Sequence, residues 1–170
     1  MQEYFALFGL PERFDVDPGR LEAAYRHVQA QVHPDRFAHR SEAERRVAMQ
    51  WATLANEAFR TLKHPLARAR YLLERRGLPV DAERNTGMSH AFLMQQMEWR
   101  EAVEEAQSDA AELARLEKEL ARDERVMFDD LKQALDEAGD LPKAAELVRR
   151  LMFMEKLRRE IDDALAQLES

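Results

Sequence analysis

The tripeptide His33-Pro34-Asp35 is the part of the sequence that most directly suggests a chemical role. An imidazole and a carboxylate two positions apart can hold a partner by hydrogen bonds, or can supply half of a His/Asp metal-hydrolase centre. The other four histidines are scattered, and no second His-Asp pair occurs in the sequence. The tripeptide is therefore interpreted as a contact site that binds no metal.

Other reactive groups are scarce. The chain has no cysteine, which excludes disulfides, a thiolate nucleophile and Cys-ligated zinc or iron–sulfur centres. It contains neither a glycine-rich phosphate loop nor a serine nucleophile elbow. We therefore expect a protein that is not an enzyme and that carries no cofactor.

Composition predicts an all-α protein. Only 5 Gly and 6 Pro occur among 170 residues, and the long periodic stretches are rich in Ala, Leu, Glu, Arg and Gln, which favour helices. No run alternates apolar and polar residues as a half-buried strand does. No apolar run approaches the roughly 20 residues that cross a bilayer. The amino terminus lacks the features of a signal peptide, so no membrane segment and a cytoplasmic location are expected.

The charge is divided unevenly along the chain. Residues 1–76 hold 13 Lys and Arg against 10 Asp and Glu, whereas residues 77–170 hold 13 against 23. A basic first part and an acidic second part predict two domains that face different partners. The net charge of −7 argues against a nucleic-acid partner, which would require a basic surface.

Two helices are predicted to flank the tripeptide. Asp17 is a good N-cap for the first helix, and Pro18 suits its first position. Pro34 ends that helix, and Ser41 with Glu44 has the capping-box spacing that begins the next one. The apolar positions that would pack the two helices as an antiparallel pair are Leu21, Tyr25, Val28 and Val32 in the first and Val47, Trp51, Leu54, Ala58 and Leu62 in the second, with Ala55 and Phe59 beside them. The tripeptide would then be exposed at the tip of the hairpin, where neighbouring arginines (Arg20, Arg26, Arg36 and Arg40) could steer it onto an acidic partner.

The rest of the chain is also predicted to be helical. A short helix spans 66–76, with Gly77 as its C-cap, and three longer helices follow at about 89–106, 109–138 and 142–168. The stripes that would bury these three helices in a bundle are Leu113, Leu116, Leu120, Met127, Leu131 and Ala138 in the second and Leu147, Leu151, Met154, Leu157, Ile161, Leu165 and Leu168 in the third.

The helix from Ser89 carries apolar residues on two faces. One face has Phe92, Trp99, Val103 and Ala106, which are expected to form core. The other has Leu93, Met94 and Met97 beside Glu98, Glu101 and Glu105, a combination that suits an adaptable partner-binding patch. Phe153 similarly falls off the main stripe of the last helix. The alternative is that Leu93 and Met97 pack against the first domain or another helix.

A helix, a His-Pro-Asp loop and a helix ending in Asn56-Glu57-Ala58-Phe59-Arg60-Thr61-Leu62 resemble the J domain, which binds and stimulates DnaK-class ATPases. Further runs resemble the HscB family of J-domain co-chaperones. These runs are Tyr4-Phe5 with Leu7-Phe8-Gly9-Leu10-Pro11, then Thr61-Leu62-Lys63-His64-Pro65-Leu66, Ala91-Phe92-Leu93-Met94 and Lys156-Leu157-Arg158. The resemblance covers nearly the whole chain. The absence of an amino-terminal zinc segment points to a bacterial form.

The resemblance implies two partners and two sets of contact residues. A J domain at 1–76 would bind a DnaK-class ATPase of the HscA type through His33, Pro34, Asp35, Arg26 and Arg36. A linker at 77–88 would lead to a three-helix bundle at 89–170, which would bind an iron–sulfur scaffold of the IscU type. The scaffold-binding residues implied are Leu93, Met94, Met97, Glu98, Arg100, Glu101, Glu105 and Phe153.

Two other functions stay open at this point. A J protein that serves a different client through its acidic bundle would stimulate the ATPase with no preference for the scaffold. A plain helical adaptor with no ATPase partner would have no functional dependence on Asp35.

Overall fold

The computed structural model describes residues 3–81 and 88–170, and within these ranges it contains helices and no β-strand. The all-α prediction is confirmed. The helices are α1 (Tyr4–Leu7), α2 (Pro18–Gln31), α3 (Glu42–Lys63), α4 (Pro65–Arg75), α5 (His90–Glu105), α6 (Ala110–Lys132) and α7 (Leu141–Glu169), with a 3-10 turn at Pro34–Phe37 and a π-helical turn at Gln133–Ala138.

The chain divides into two compact units, Met1–Gly77 and Leu78–Ser170. The first unit holds α1 to α4 and the second holds α5 to α7. Half of the linker that the sequence predicts at 77–88, residues 82–87, lies outside the described residues.

Local capping explains where the hairpin helices begin. The Asp17 carboxylate accepts hydrogen bonds from the backbone N–H groups of Gly19 and Arg20 at 2.8 and 3.2 Å, and the Ser41 hydroxyl accepts one from the N–H of Glu44 at 3.2 Å. These side chains satisfy amides that have no partner within the helix. Both cap predictions are confirmed, and the caps fix the two ends of the segment that carries the tripeptide.

Packing of α2 on α3 is centred on aromatic residues. The rings of Tyr25 and Phe59 are stacked with their centroids 4.1 Å apart, and the Tyr25 hydroxyl donates to the side-chain oxygen of Asn56 at 2.6 Å. Leu21 and Leu62 are fully buried in the same unit. The two helices therefore form the expected hairpin, with the 3-10 turn between them.

The apolar stripe predicted for α3 is wrong in its amino-terminal half. Val47 and Trp51 are 51% and 47% exposed, whereas Ala48 is buried. The reason is helix length. The 22 residues of α3 extend about 33 Å, but the 14 residues of α2 extend only about 21 Å. The first turns of α3 therefore pack on the end of α2 and the short 3-10 turn, which cover less of the apolar face.

A buried arginine joins three segments of the first unit. The Arg68 side chain donates to the backbone carbonyls of Phe14 and Leu62 at 2.7 and 2.6 Å, and its guanidinium lies 4.8 Å from the centre of the Phe14 ring. Close by in α4, the Tyr71 hydroxyl accepts a hydrogen bond from the N–H of Tyr4 at 2.8 Å, and burial raises the pKa of this tyrosine. These long-range bonds hold α1 and the following loop against α4.

Replacing Arg68 with Leu is expected to destabilise the protein by about 3 kcal/mol, because buried carbonyls would lose charged donors. The free energy of unfolding is measured by urea denaturation with circular dichroism. Arg60→Leu, at an exposed position of α3, is the matched control and is expected to change it by less than about 0.5 kcal/mol. Equal losses for the two variants would contradict a structural role for Arg68.

The second unit is built from α5, α6 and α7, as the sequence predicts. Its core contains Trp99, Val103, Ala106, Leu113, Leu116, Leu120, Met154, Leu157, Ile161 and Ala164. The turn before α7 uses Gly139 in the left-handed conformation (φ +62°), and the Asp140 carboxylate caps α7 by accepting from the N–H of Lys143 at 3.2 Å. Phe92 is buried on α5 as well, so the core face predicted for this helix is confirmed.

Two stripe positions of the second unit are corrected. Ala138 is exposed, whereas Ala134 and Leu135 are buried, because the chain leaves α-helical geometry after Lys132 and the wider π-helical turn changes which side chains face the core. Leu168 is exposed because the core against α7 ends at about Leu165.

Candidate partner-binding sites

The His-Pro-Asp tripeptide forms a fixed turn. His33 caps the 3-10 turn Pro34–Phe37, and its Nδ1 accepts a hydrogen bond from the backbone N–H of Asp35 at 3.2 Å. The N–H of Arg36 donates to the carbonyl of His33 at 3.0 Å. When Nδ1 accepts in a neutral imidazole, the ring proton is on Nε2. The turn therefore leaves the Nε2–H of His33 as the donor that a partner can meet.

The Asp35 carboxylate is the most accessible acceptor of this turn. Its side chain is 93% exposed, and its Oδ2 lies 3.6 Å from Nδ1 of His33, which is beyond hydrogen-bonding distance. Pro34 fixes the backbone between the two side chains. A donor on the partner can therefore reach the carboxylate without first unfolding the turn. Binding restricts few additional rotatable bonds, so its conformational entropy cost is small.

The two arginines predicted to accompany the tripeptide differ in their surroundings. Arg36 belongs to the 3-10 turn itself and is exposed. Arg26 lies on α2, seven residues before His33, and pairs with Glu22 at 2.6 Å. Both members of that pair are more than half exposed, so the pair is weak and a partner carboxylate can compete for Arg26. Arg36 is therefore the more available cation.

The patch expected on α5 is exposed. Leu93, Met94 and Met97 are 44%, 45% and 65% exposed, whereas Phe92 and Trp99 on the same helix are buried. We define the α5 patch as Leu93, Met94, Met97, Glu98, Glu101 and Glu105, all of which are exposed. Three large apolar side chains therefore face solvent beside three carboxylates on one helix, as a helix with two apolar faces requires.

Phe153 is half-buried and takes part in packing. Its ring meets that of Phe92 edge-on, with the centroids 6.0 Å apart, and the Arg100 guanidinium lies 5.3 Å above it. Arg100 also pairs with Glu160 of α7 at 3.3 Å. Phe153 and Arg100 thus tie α5 to α7. The sequence places Phe153 off the main stripe, and its family likeness predicts both residues as scaffold-binding, but it does not predict this packing.

One residue of this cluster was missed by the sequence reasoning. The Arg150 guanidinium lies 5.0 Å from the centre of the Phe92 ring, so Arg100, Phe153, Phe92 and Arg150 form a continuous cluster of two cation–aromatic contacts joined by an edge-on ring pair. The spacing of Arg150 and Phe153, three positions apart on α7, was the available signal. Their distance from α5 could not be read from the sequence.

The chain is similar to known proteins over its full length. A family model described as the HSCB C-terminal oligomerisation domain matches residues 88–162. The "Co-chaperone protein HscB homolog" of Aromatoleum aromaticum is 57% identical, over 99% of this chain and 97% of the relative. The homolog of the same name from Azoarcus is 56% identical over the same shares.

The chain belongs to the HscB family of co-chaperones.

Solved structures of this family agree with the fold. The chaperone HscB from Vibrio cholerae has a TM-score of 0.86 at 36% identity, covering 98% of this chain and 99% of that one. The human co-chaperone HscB has a TM-score of 0.90 at 29% identity, covering all of this chain and 84% of the human one. The hairpin of α2 and α3 is therefore that of a J domain, and α5 to α7 form the carboxyl-terminal bundle of an HscB protein.

Family membership defines the general role. An HscB protein is a J-domain co-chaperone of iron–sulfur cluster assembly, and the relatives from Aromatoleum aromaticum and Azoarcus are named co-chaperones. Over residues 3–81 and 88–170, no helix is long and apolar enough to cross a membrane. The same part of the chain holds no cluster of His, Asp and Glu that could bind a metal ion.

Proposed function

We propose that this HscB-family protein stimulates a DnaK-class ATPase of the HscA type and delivers an IscU-type scaffold protein to it in the cytoplasm. Delivery would assist iron–sulfur cluster maturation or transfer. The observation that carries the proposal is the fully presented carboxylate of Asp35 on a turn held by the His33 ring. The residues proposed to meet the ATPase are His33, Pro34, Asp35, Arg26 and Arg36, within a J domain at 1–76.

The chemistry of the tripeptide suits a contact that selects one state of the ATPase. Asp35 can accept two parallel hydrogen bonds from a partner arginine, which is a strong charge-assisted arrangement. His33 can donate from Nε2 to the same surface. Tighter binding to the ATPase conformation that commits to hydrolysis than to its other conformations would raise the population of that conformation. These residues would act through that equilibrium and would not touch the phosphate groups.

The chemistry of the α5 patch suits the scaffold partner. Flexible Leu and Met side chains adapt to an apolar surface, and the carboxylates of Glu98, Glu101 and Glu105 favour a partner with cations at its rim. Arg100 and Phe153 border the patch through their contacts with α7. We propose that the scaffold binds to the three-helix bundle. The proposed bounds of this bundle are 89–170, and those of the linker before it are 77–88.

Steady-state ATP hydrolysis by the HscA-type ATPase tests the proposal. This protein and the scaffold are added singly and together. When both proteins are present, the increase in the ATP hydrolysis rate is expected to exceed the sum of the increases that each causes alone. The reason is that this protein would bring the scaffold and its own J domain to the same ATPase molecule. If the stimulation were the same with and without the scaffold, the client assignment would be overturned. If this protein did not stimulate the ATPase at all, the ATPase assignment would be overturned.

A further inference from the structure

Two oxidisable side chains lie within the α5 patch. Seven methionines fall within residues 3–81 and 88–170, and three of them are exposed: Met49, Met94 and Met97. Met94 and Met97 are three residues apart, so they share one face of α5, and both belong to the patch. The proposed scaffold contact therefore presents two accessible thioether groups to solvent.

The sulfur chemistry of this chain is confined to thioethers, because the sequence contains no cysteine. A peroxide converts a methionine thioether to a sulfoxide by transfer of one oxygen atom. The sulfur lone pair attacks one peroxide oxygen, the S–O bond forms and the O–O bond breaks. The departing hydroxide takes up the proton of the transferred oxygen. Sulfur is thus oxidised by two electrons and hydrogen peroxide is reduced to water, so exposure of the sulfur favours Met94 and Met97 over covered methionines.

Oxidation of these two side chains is expected to leave the bundle folded. The core of the second unit uses a different methionine, Met154, which is buried with Leu157 and Ile161. A sulfoxide on a solvent-facing side chain stays hydrated and replaces no core contact. The reaction would therefore change the chemistry of the α5 patch and leave intact the helices that carry it.

The same reaction would oppose binding of an apolar partner surface. A thioether is flexible and apolar, whereas a sulfoxide is polar, and its oxygen loses hydration when a partner covers it. Burial of a polar oxygen is unfavourable unless a donor meets it. Glu98 and Glu101 lie four residues after Met94 and Met97, so each thioether has a carboxylate as its neighbour on the helix surface. An ionised carboxylate accepts hydrogen bonds and donates none, so these neighbours cannot satisfy the new oxygens.

We propose that Met94 and Met97 form a reversible oxidation site that controls binding of the scaffold. Peroxide would convert the two thioethers to sulfoxides and weaken the contact, and methionine sulfoxide reductases would restore it. In the reduction, two thiols of the reductase form a disulfide and the sulfoxide oxygen leaves as water. This inference rests on the proposed function, because the α5 patch is the proposed scaffold contact.

Calorimetry with the oxidised protein tests the inference. This protein is treated alone with hydrogen peroxide, the peroxide is removed, and peptide mass spectrometry verifies that Met94 and Met97 are sulfoxides. The dissociation constant for untreated scaffold is expected to rise at least about tenfold, because two polar oxygens would enter the contact. Treatment with two methionine sulfoxide reductases, one for each sulfoxide epimer, is expected to restore the original value. Circular dichroism verifies that the treated protein is folded.

Met49 provides the matched control, because it is as exposed as Met97, at 69% against 65%, but lies on α3 in the other unit. Met49→Leu is expected to lose affinity on treatment as the unmodified protein does. A double variant, Met94→Leu with Met97→Leu, is expected to keep after treatment the dissociation constant that it has before treatment. Leucine has a similar volume and no sulfur. Each variant is compared with its own untreated form.

Protection by the scaffold gives an independent readout. A brief peroxide pulse is applied to this protein alone and with saturating scaffold, and oxidation of each methionine is followed by mass spectrometry. The scaffold is expected to slow oxidation of Met94 and Met97 and to leave that of Met49 unchanged. Equal rates for Met94 and Met97 with and without bound scaffold would overturn the inference, since the sulfur atoms would then lie outside the contact.

The remaining outcomes separate the inference from the proposed function. If the unmodified protein binds the scaffold and its oxidised form binds with the same dissociation constant, the inference is overturned and the proposed function stands. An equal loss of affinity in the Met94→Leu, Met97→Leu variant would assign the effect to other residues and overturn the inference. Loss of helicity on treatment, or no recovery with the reductases, would overturn it as well. Absence of scaffold binding by the unmodified protein would overturn both the inference and the proposed scaffold contact.

Discussion

Replacing Asp35 with Asn is expected to reduce stimulation of the HscA-type ATPase to the basal rate, with a loss of at least about 100-fold in the efficiency of stimulation. Asparagine has nearly the same shape but carries no charge, and its amide nitrogen is a donor. A partner arginine would then lose one of its two acceptor oxygens, and one of its N–H groups would face the amide N–H group of the asparagine. Steady-state ATP hydrolysis over a range of co-chaperone concentrations measures the effect.

Folding is expected to survive this change. The Asp35 side chain is almost fully exposed, and the backbone N–H that donates to His33 is retained in the variant. Binding of the scaffold is also expected to persist, because its proposed site is on α5 in the other unit. Asp35→Asn therefore separates ATPase stimulation from scaffold binding.

Glu42→Gln is the matched control for the loss of one negative charge. Glu42 is exposed in the first turn of α3, seven residues after Asp35, and it is not proposed to contact the ATPase. Its replacement is expected to leave stimulation within about twofold of the unmodified protein. Normal stimulation by Asp35→Asn would mean that the tripeptide has no role in the ATPase contact.

Replacing Leu93, Met94 and Met97 together with Ala is expected to weaken scaffold binding by at least about 100-fold. The three side chains supply the apolar part of the α5 patch, and truncation removes contact surface while leaving the carboxylates in place. Isothermal titration calorimetry with the scaffold measures the dissociation constant. The melting temperature is expected to remain within a few degrees, because these residues are exposed.

Val126→Ala is the control for loss of exposed apolar surface. Val126 is exposed on α6, which is not part of the α5 patch, so this change is expected to leave scaffold affinity unaltered. A large loss of helicity in the triple variant would show that Leu93, Met94 and Met97 contribute to the core. An unchanged dissociation constant would move the scaffold site elsewhere.

Phe153 requires a separate variant, because it contacts both Phe92 and Arg100. Phe153→Ala is expected to lower the free energy of unfolding by about 2 kcal/mol, less than for a fully buried phenylalanine. Any effect on scaffold binding is therefore read against this loss of stability. Combining Phe153 with the patch residues in one variant would mix two causes, so the exposed residues are tested first.

The sequence was sufficient for the features that depend on near neighbours in the chain. Asp17, Ser41 and Asp140 begin helices because their side chains accept from amides two or three residues ahead, and such contacts need no tertiary partner. Pro34 ends α2 for an equally local reason. The exposed tripeptide turn and the helix boundaries were therefore predictable.

The two-faced character of α5 was predictable for a related reason. A helix has a fixed period, so Phe92 and Trp99 must point away from Leu93 and Met97 whatever the helix packs against. Family likeness added the partners, which no periodicity contains. The functional assignment of Arg26 and Arg36 likewise came from that likeness and from their position near the tripeptide.

Local sequence is thus enough to specify the helices, their caps, the tripeptide turn and the two faces of α5, because each depends on residues within about one helical turn. Tertiary structure alone decided which apolar faces are covered. Trp51 has the helical spacing of a core residue but stays half-exposed because α2 is too short to cover it. Arg68 is a buried donor, and Phe153 meets Phe92 edge-on, only because segments distant in the chain come together there. Periodicity identifies a face, but whether that face is buried depends on the length and position of another element.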